Sequence, residues 1–541
     1  MVAVEWCFRL TSVALLHGLL RAASAAPVLE EEFYENLKLT PLPDGRLLTR
    51  FDFKTLLRDA APRAPHTLAE EDEPQHYNLF PLALGQLLRE HAVTELHLTL
   101  NAGQWNYAAW GQPEDSGVAT GAELWAWMGE SRAISVKDRW KGITNGLAGL
   151  FCATLGGLDV RRTVSPSVAF QPEGDIPSST PHHLLYAPLP SESVCTENLT
   201  PFLKLLPCKS RSGVASLLNP HRLFDADWHG MGVHVTWEEG LGVMVRMNFV
   251  AVYNPTRLMG LQNKRDWSFR LLFDRSITRA CPVATRSAIH VALPSEGNFR
   301  LEPTAHSNLG NIAIFDVSKV QEPLELSMKW PDESEFDHTS FAPSLSPPLT
   351  VRRVLTGAGQ SQGALAVSLS NTNTETMRVA WVETMPWFIK FYLHTLEATI
   401  KGERRNDLVK LVTYAPTSSS SQAPTLLESH VTIPGNTTLR LTIDLEKSFI
   451  SYTQHPPAAQ RGWDLPGGII AFTSHSSHRG EKEKELREQR IYTPILLVDL
   501  PTPDFSMPYN VIIMTSTLVT LLFGTIFNML TRKFVWIKLH E

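Results

Sequence analysis

The chain has 541 residues, 43% of them hydrophobic, with 49 basic and 55 acidic side chains and a formal charge of −6. That apolar share is too high for a disordered chain, and without a long basic run there is no electrostatic footprint for nucleic acid. Five cysteines in so long a chain exclude a disulfide-dense scaffold, so packing must hold the core.

The N-terminus carries an apolar run from Leu10 to Leu20 and then "RAASAAP". Small residues behind an apolar stretch predict a cleavable secretory signal over 1–25, cut after Ala25 and taking Cys7 with it. A lumenal domain mixing helices and strands is then expected over 26–340. In it, "RLLTRFDF" and "ELHLTL" alternate as half-buried strands, the second with Leu96, Leu98 and Leu100 on one face. "FPLALGQLLREH" places Leu84, Leu87, Leu88 and His91 at helical spacing, with Pro81 suited to the first turn. "SVKDRWKGITNGLAGLF" predicts a second helix, capped by Ser135, with Trp140, Ile143, Leu147, Leu150 and Phe151 as its apolar stripe.

From about Gly230 the pattern turns to strands, first in "GVMVRMNFVAVY". Beyond the Pro- and Ser-rich break "FAPSLSPPLT", short alternating runs recur in "ALAVSLS", "RVAWVE", "WFIKFYLHT", "LVKLVTY" and "TLRLTIDL". Several short strands with turn residues between them predict an antiparallel β-sandwich over 341–500. Within it, the charge run between Ser474 and Arg490 reads as a solvated loop or short exposed helix. Pro501, Pro503 and Pro508 predict a stiff extended strap over 501–510. Residues 511–530 carry no charge and suit a transmembrane helix. Arg532, Lys533 and Lys538 place the tail 531–541 in the cytosol, giving a type I membrane protein. The fold class is therefore mainly β with some α: a lumenal antiparallel β-sandwich body and one C-terminal transmembrane helix.

Chemistry-bearing motifs are few. "GQSQG" at 359–363 matches a nucleophile elbow around Ser361, but a strand pattern follows where the elbow needs a helix. His182 with His183, and His475 with His478, have no carboxylate or cysteine at ligand spacing, so neither pair makes a metal site. Asn436 in "NTT" is a good glycan acceptor between strands, whereas proline after the threonine makes Asn198 in "NLTP" a poor one. Cys152, Cys195, Cys208 and Cys281 remain in the mature chain and allow three internal pairings. Cys195 with Cys208 and Cys152 with Cys281 is the simpler arrangement. The other possibility bonds one loop cysteine to another protein.

"HYNLFPLALGQLL", "GAELWAWM", "VCTENLTPFLKLLPC", "DWSFRLLFDRSITRACP", "VETMPWFIKFYLHTL" and "LPTPDFSMPYNVI", in that order, resemble the PIG-T family of GPI transamidase subunits. The likeness runs from residue 76 to residue 512 and weakens near 230–242 and over 455–490. The resemblance implies a non-catalytic, cofactor-free subunit in the endoplasmic reticulum membrane. Its complex joins GPI lipid to precursor proteins, with a caspase-like protease subunit supplying the nucleophile and multispanning subunits alongside. It also implies an interchain disulfide from Cys195 to that protease. Cys208 would then be reduced or paired with Cys152 or Cys281. The two rival readings are a lumenal serine hydrolase using Ser361 and a cell-surface receptor ectodomain. Small and polar residues in the span, among them Thr515, Ser516, Thr517 and Gly524, would suit packing against other helices.

Overall fold

The strongest period-two runs of the first half come together in one ten-stranded sheet. The structure is a computed structural model describing residues 30–500 and 506–539, apart from 73–74, 261–262, 295–296, 320–321, 337–346, 358, 360, 418–421, 452–453, 456–460, 476–485 and 534. The expected signal over 1–25, the boundary at 340, His478, Pro501 and Pro503 lie outside the described residues.

The strands Glu31–Pro41, Leu47–Arg58, Gly242–Tyr253, Trp228–Glu238, Val93–Ala102, Gly121–Gly129 and His182–Leu189 lie side by side, each antiparallel to its neighbour. Arg286–Ala292 joins Glu31–Pro41 in parallel, and the hairpin Ser307–Leu309 with Ile312–Asp316 forms that edge. Alternation puts Phe51, Phe53, Leu96, Leu98, Leu124, Val245 and Met247 in one buried core. Helices Leu82–Glu90, Val136–Phe151 and Thr196–Leu205 contribute Leu84, Ile143, Leu147, Leu199 and Phe202 to the same core. Ser135 caps the second of these, its side chain accepting from Asp138 N at 3.1 Å. Trp140 and Phe151 are buried as the periodicity predicts, whereas Leu150 is only partly covered.

The second half forms two facing sheets. One contains Leu349–Thr356, Gln362–Asn371 and Thr437–Lys447, and the other contains Thr425–Ile433, Met377–Met385, Ile469–His475 and Leu486–Tyr492. Leu365, Val367, Leu439, Leu441 and Ile443 meet Val379, Trp381, Leu427 and Val431 between them. Inside this sandwich Arg353 Nη2 donates to Glu383 Oε2 at 2.8 Å, both side chains fully buried. Trp381 Nε1 occupies the other carboxylate oxygen at 3.1 Å, and Arg353 also donates to Pro466 O. These bonds all run within the sandwich, so the ion pair ties its strands together.

Two expectations need correction. The charge run ending at Arg490 is not all loop or helix, because Leu486–Tyr492 is a strand of the second sandwich sheet. The strap over 501–510 is helical at its end, since the C-terminal helix runs Ser506–Thr531 and takes Pro508 into its first turn. Proline fits there because the first amides of a helix have no intrahelical partner. Tyr509–Thr531 is long and apolar enough to cross a membrane. Thr515, Ser516, Thr517 and Thr520 each donate to a carbonyl four residues back, so their hydroxyls are satisfied within the helix.

The second face of the ten-stranded sheet is the main departure from a simple alternation reading. Around Trp125 and Tyr186 this face does not meet water but lies under the sheet of the sandwich that contains Met377–Met385. Trp125, Phe170 and Tyr186 pack on Ala380, Val382, Leu426, Ala471 and Tyr492, so the five-stranded sheet is covered on both sides. The Arg490 guanidinium is buried 5.2 Å from the Trp125 ring centre and 4.6 Å from that of Phe170. Tyr492 donates its hydroxyl to Glu123 Oε2 at 2.9 Å. Glu428 and Glu488, from the sandwich, accept the backbone N–H groups of Ser167, Val168, Phe170 and Gln171. Carboxylates accepting backbone amides are charge-assisted ties, and they clip an irregular segment of one half onto the other.

Beside this seam, Arg50 forks onto Asp115 through two bonds of 2.8 Å, and Arg246 adds a third contact. Burial would raise the Asp115 pKa, but Arg50 and Arg246 outweigh it and hold the carboxyl well below its ordinary range. Glu95 accepts from the amides of Glu173 and Gly174 and from His97 Nε2 at 2.9 Å. With Nε2 donating, His97 Nδ1 accepts from His234 Nδ1 at 3.0 Å. Burial first, then His97 and Arg246, push the His234 pKa down to about 3. A histidine held below its free value of about 6.5 favours the folded chain above that pH, and this stabilisation is lost as pH falls towards 3. Asp115 and Glu173 face the same ring and oppose the effect without reversing it. Urea unfolding should therefore weaken across that window by roughly 1.4 kcal/mol per pH unit more in the wild type than in His234→Asn. Asparagine keeps a donor towards His97 and removes the titration. Parallel pH profiles for the two proteins would count against this account.

Candidate functional site

Cys195 lies between the strand His182–Leu189 and the helix Thr196–Leu205, as the N-cap of that helix with extended backbone. The third helical residue is Asn198, whose side-chain oxygen accepts the Cys195 N–H at 2.7 Å. Its amide nitrogen donates to Phe151 O at 2.9 Å and to Cys152 O at 3.3 Å. One side chain thus joins the start of this helix to the end of Val136–Phe151. Both partners answer a known need, since helix ends leave backbone donors and acceptors without intrahelical bonds. Asn198 is fully buried as a result.

Packing holds the corner from below. Leu199, Phe202 and Leu203 are buried, and Phe202 meets Phe53 edge-on at 6.4 Å. Glu192 grips the segment after Cys152, accepting Thr154 N at 2.9 Å and the Thr154 hydroxyl. Pro201 lies inside the helix and removes one N–H from its ladder, which helps keep the element short. Cys152 closes the other helix in the left-handed region at φ 53°. Two exposed, unbonded cysteines, Cys152 and Cys195, therefore flank one buried asparagine.

The remaining pair is settled differently from the simplest sequence arrangement. Cys208 bonds Cys281, with Cα atoms 5.9 Å apart, and this replaces both Cys195–Cys208 and Cys152–Cys281. The helix Thr196–Leu205, about 15 Å long at ~1.5 Å per residue, separates Cys195 from the segment that carries Cys208, and that segment lies against Cys281. Cys281 is buried in the main core and Cys208 packs against it, so this bond pins the loop after the helix to the body.

The other candidate residues do not converge on this corner. Ser361 lies in the loop between Leu349–Thr356 and Gln362–Asn371, and its carbonyl accepts Lys447 N at 2.8 Å. A strand follows it where a nucleophile elbow has a helix, so the elbow is absent. His182 bonds Thr94 and Thr180 O, while His183 bonds Glu130 Oε1 at 2.7 Å. The carboxylate companion that spacing did not reveal is thus 53 residues upstream, on one histidine only. His475 ends the strand Ile469–His475. Among the described residues, no three His, Cys, Asp or Glu side chains are grouped to hold a metal. Asn436 is exposed on the turn between Thr425–Ile433 and Thr437–Lys447, at φ 51°, a conformation asparagine tolerates better than most residues.

Sequence alone shows Asn198 as part of a sequon and hides its role as a strut. The signal for that role is its place three residues after a cap position, the reciprocal half of a capping box. Asn198→Ala should lower stability by about 1–3 kcal/mol, because two carbonyls and one amide lose their partner. A thermal melt within error of the wild type would remove the strut from the account.

A family model described as the Gpi16 subunit, GPI transamidase component, matches residues 15–252 and 253–541. The human GPI-anchor transamidase component PIGT is 34% identical over 549 residues, spanning 92% of this chain and 90% of its own. The PIG-T homolog of Schizosaccharomyces pombe is 30% identical over 538 residues, covering 96% and 93%. The GPI16 component of Saccharomyces cerevisiae is 30% identical over 561 residues, covering 93% and 89%. Among solved structures, the yeast delta-COP mu-homology domain covers 51% of this chain and 83% of its own at 8% identity and a TM-score of 0.16, too slight a likeness to inform function. With relatives matched nearly from end to end, the chain belongs to the Gpi16/PIG-T family and is a component of GPI transamidase.

Proposed function

We propose that this component is a non-catalytic scaffold in the endoplasmic reticulum membrane and that Cys195 bonds it covalently to a caspase-like protease subunit. The observation that carries the reading is the state of Cys195. Its thiol is exposed and unbonded on a corner braced by Asn198 and Glu192, while Cys208 is already committed to Cys281. A bond from a rigid corner converts subunit contact into an intramolecular event with high effective concentration. The protease then stays docked while bulky precursor proteins and GPI lipid exchange.

In this reading the β-rich body is lumenal, Tyr509–Thr531 crosses the bilayer beside multispanning subunits, and Arg532, Lys533 and Lys538 remain cytosolic. Asn436 carries a glycan, because its turn is exposed. Asn198 stays unmodified, because its amide nitrogen is buried against Phe151 O.

Two measurements test these assignments. Membranes solubilised under thiol blocking should give a reducible heterodimer on a non-reducing gel for the wild type and for Cys152→Ser, and none for Cys195→Ser. A wild type running only as a monomer would overturn the covalent link. Endoglycosidase treatment should shift the wild type and Thr200→Ala equally, and leave Asn436→Gln unshifted. A changed shift in Thr200→Ala would show that Asn198 is glycosylated after all.

A further inference from the structure

The end of the sandwich nearest the C-terminal helix carries an apolar surface that the packing does not require. Phe449, just beyond the strand Thr437–Lys447, is 80% exposed, and Leu497 is 56% exposed. These are not scattered positions. Ser448 N donates to Phe388 O at 2.7 Å, Phe388 meets the Trp463 ring edge-on at 5.2 Å, and Trp463 pairs with Val498, next to Leu497. Trp387 and Trp463 are themselves only partly buried. Lys447 Nζ, among these residues, donates to Asp499 O at 3.2 Å and fastens this end to the segment leading to the membrane helix. Lys390, on the adjoining strand Ile389–Phe391, is exposed.

The helix begins at Ser506, so six residues separate it from Asp499, a span of at most ~25 Å over seven steps of the chain. An apolar patch tethered so closely to a bilayer has a natural cover. Tryptophan favours the headgroup boundary, where its ring is buried and its N–H stays wet, phenylalanine and leucine enter the apolar edge of that boundary, and lysine suits anionic phospholipid heads. We propose that Phe449 and Leu497, flanked by Trp387, Trp463 and Lys390, form a foot that enters the phospholipid interface of the bilayer crossed by Tyr509–Thr531. The foot gives the body a second point of contact with the membrane, which fixes its tilt as a single helix cannot. The inference rests on the reading of that helix as spanning, and it does not depend on Cys195.

The full chain in phospholipid nanodiscs tests it by spin-label depth, in a Cys152→Ser/Cys195→Ser background with single labels at Phe449→Cys, Leu518→Cys or Asn436→Cys. Asn436 is the aqueous reference, because it lies at the other end of the strand leading to Lys447, about 36 Å away at ~3.3 Å per residue. The expected result is a ratio of oxygen to nickel-complex collisions severalfold higher at Phe449 than at Asn436, and highest at Leu518. A Phe449 label matching Asn436 beside a lipid-exposed Leu518 label would overturn the foot alone. A Phe449 label shielded from both reagents would overturn it in favour of a protein cover. A nickel-accessible Leu518 label would overturn the spanning helix and the foot together.

Discussion

Arg490 lies buried between the rings of Trp125 and Phe170, and the two halves of the body meet around it. A buried cation of this kind is tolerated only where rings and carboxylates replace its water. Here Glu488 contacts it directly, while Tyr492 brings Glu123 into the same seam. The ten-stranded sheet and the sandwich therefore share one interior, mixed in polarity and closed to solvent. Such an interface discourages relative motion of the two halves, in contrast to the small polar contacts that let domains swing. The corner on the first half and the far end of the sandwich on the second then keep a fixed relation.

That rigidity gives meaning to surface features that would otherwise be incidental. The corner at Cys195 is built from two helix ends, one asparagine and one glutamate, all set on the apolar face of the large sheet. The foot at Phe449 lies on the sandwich, beyond the seam. A partner bonded at the corner and a bilayer met at the foot would be held at a constant separation by the body between them. On the proposed scaffold reading, that constant separation is what the body contributes to the complex.

Much of this architecture is legible in the sequence, and the failures have a common cause. Phe51, Leu96, Val245 and Ile143 show their buried face by period alone, because apolar residues on one side of an element need only the local pattern. The sandwich was readable from its short alternating runs for the same reason. Arg50, Glu95, His97 and Arg490 were not readable as buried, because each looks like a solvated position until its partner from a distant segment is present. The strand Leu486–Tyr492 was hidden by its charges, of which Glu488 and Arg490 turn inward at the seam. Cys208 and Cys281 pair across 73 residues, a choice set by tertiary packing that spacing cannot show. Asn198 shows the same limit at the site itself. Its sequon was visible, and its role as the strut beneath Cys195 appears only when Phe151 is brought beside it.

The account turns on the state of Cys195 in the assembled enzyme. Peptide mapping of the non-reduced complex by mass spectrometry reads that state directly. The expected result is a peptide containing Cys195 disulfide-bonded to a peptide of another chain, alongside an intact Cys208–Cys281 pair and a free Cys152. A Cys195 recovered as a free thiol, or bonded to Cys152 within the same chain, would contradict it.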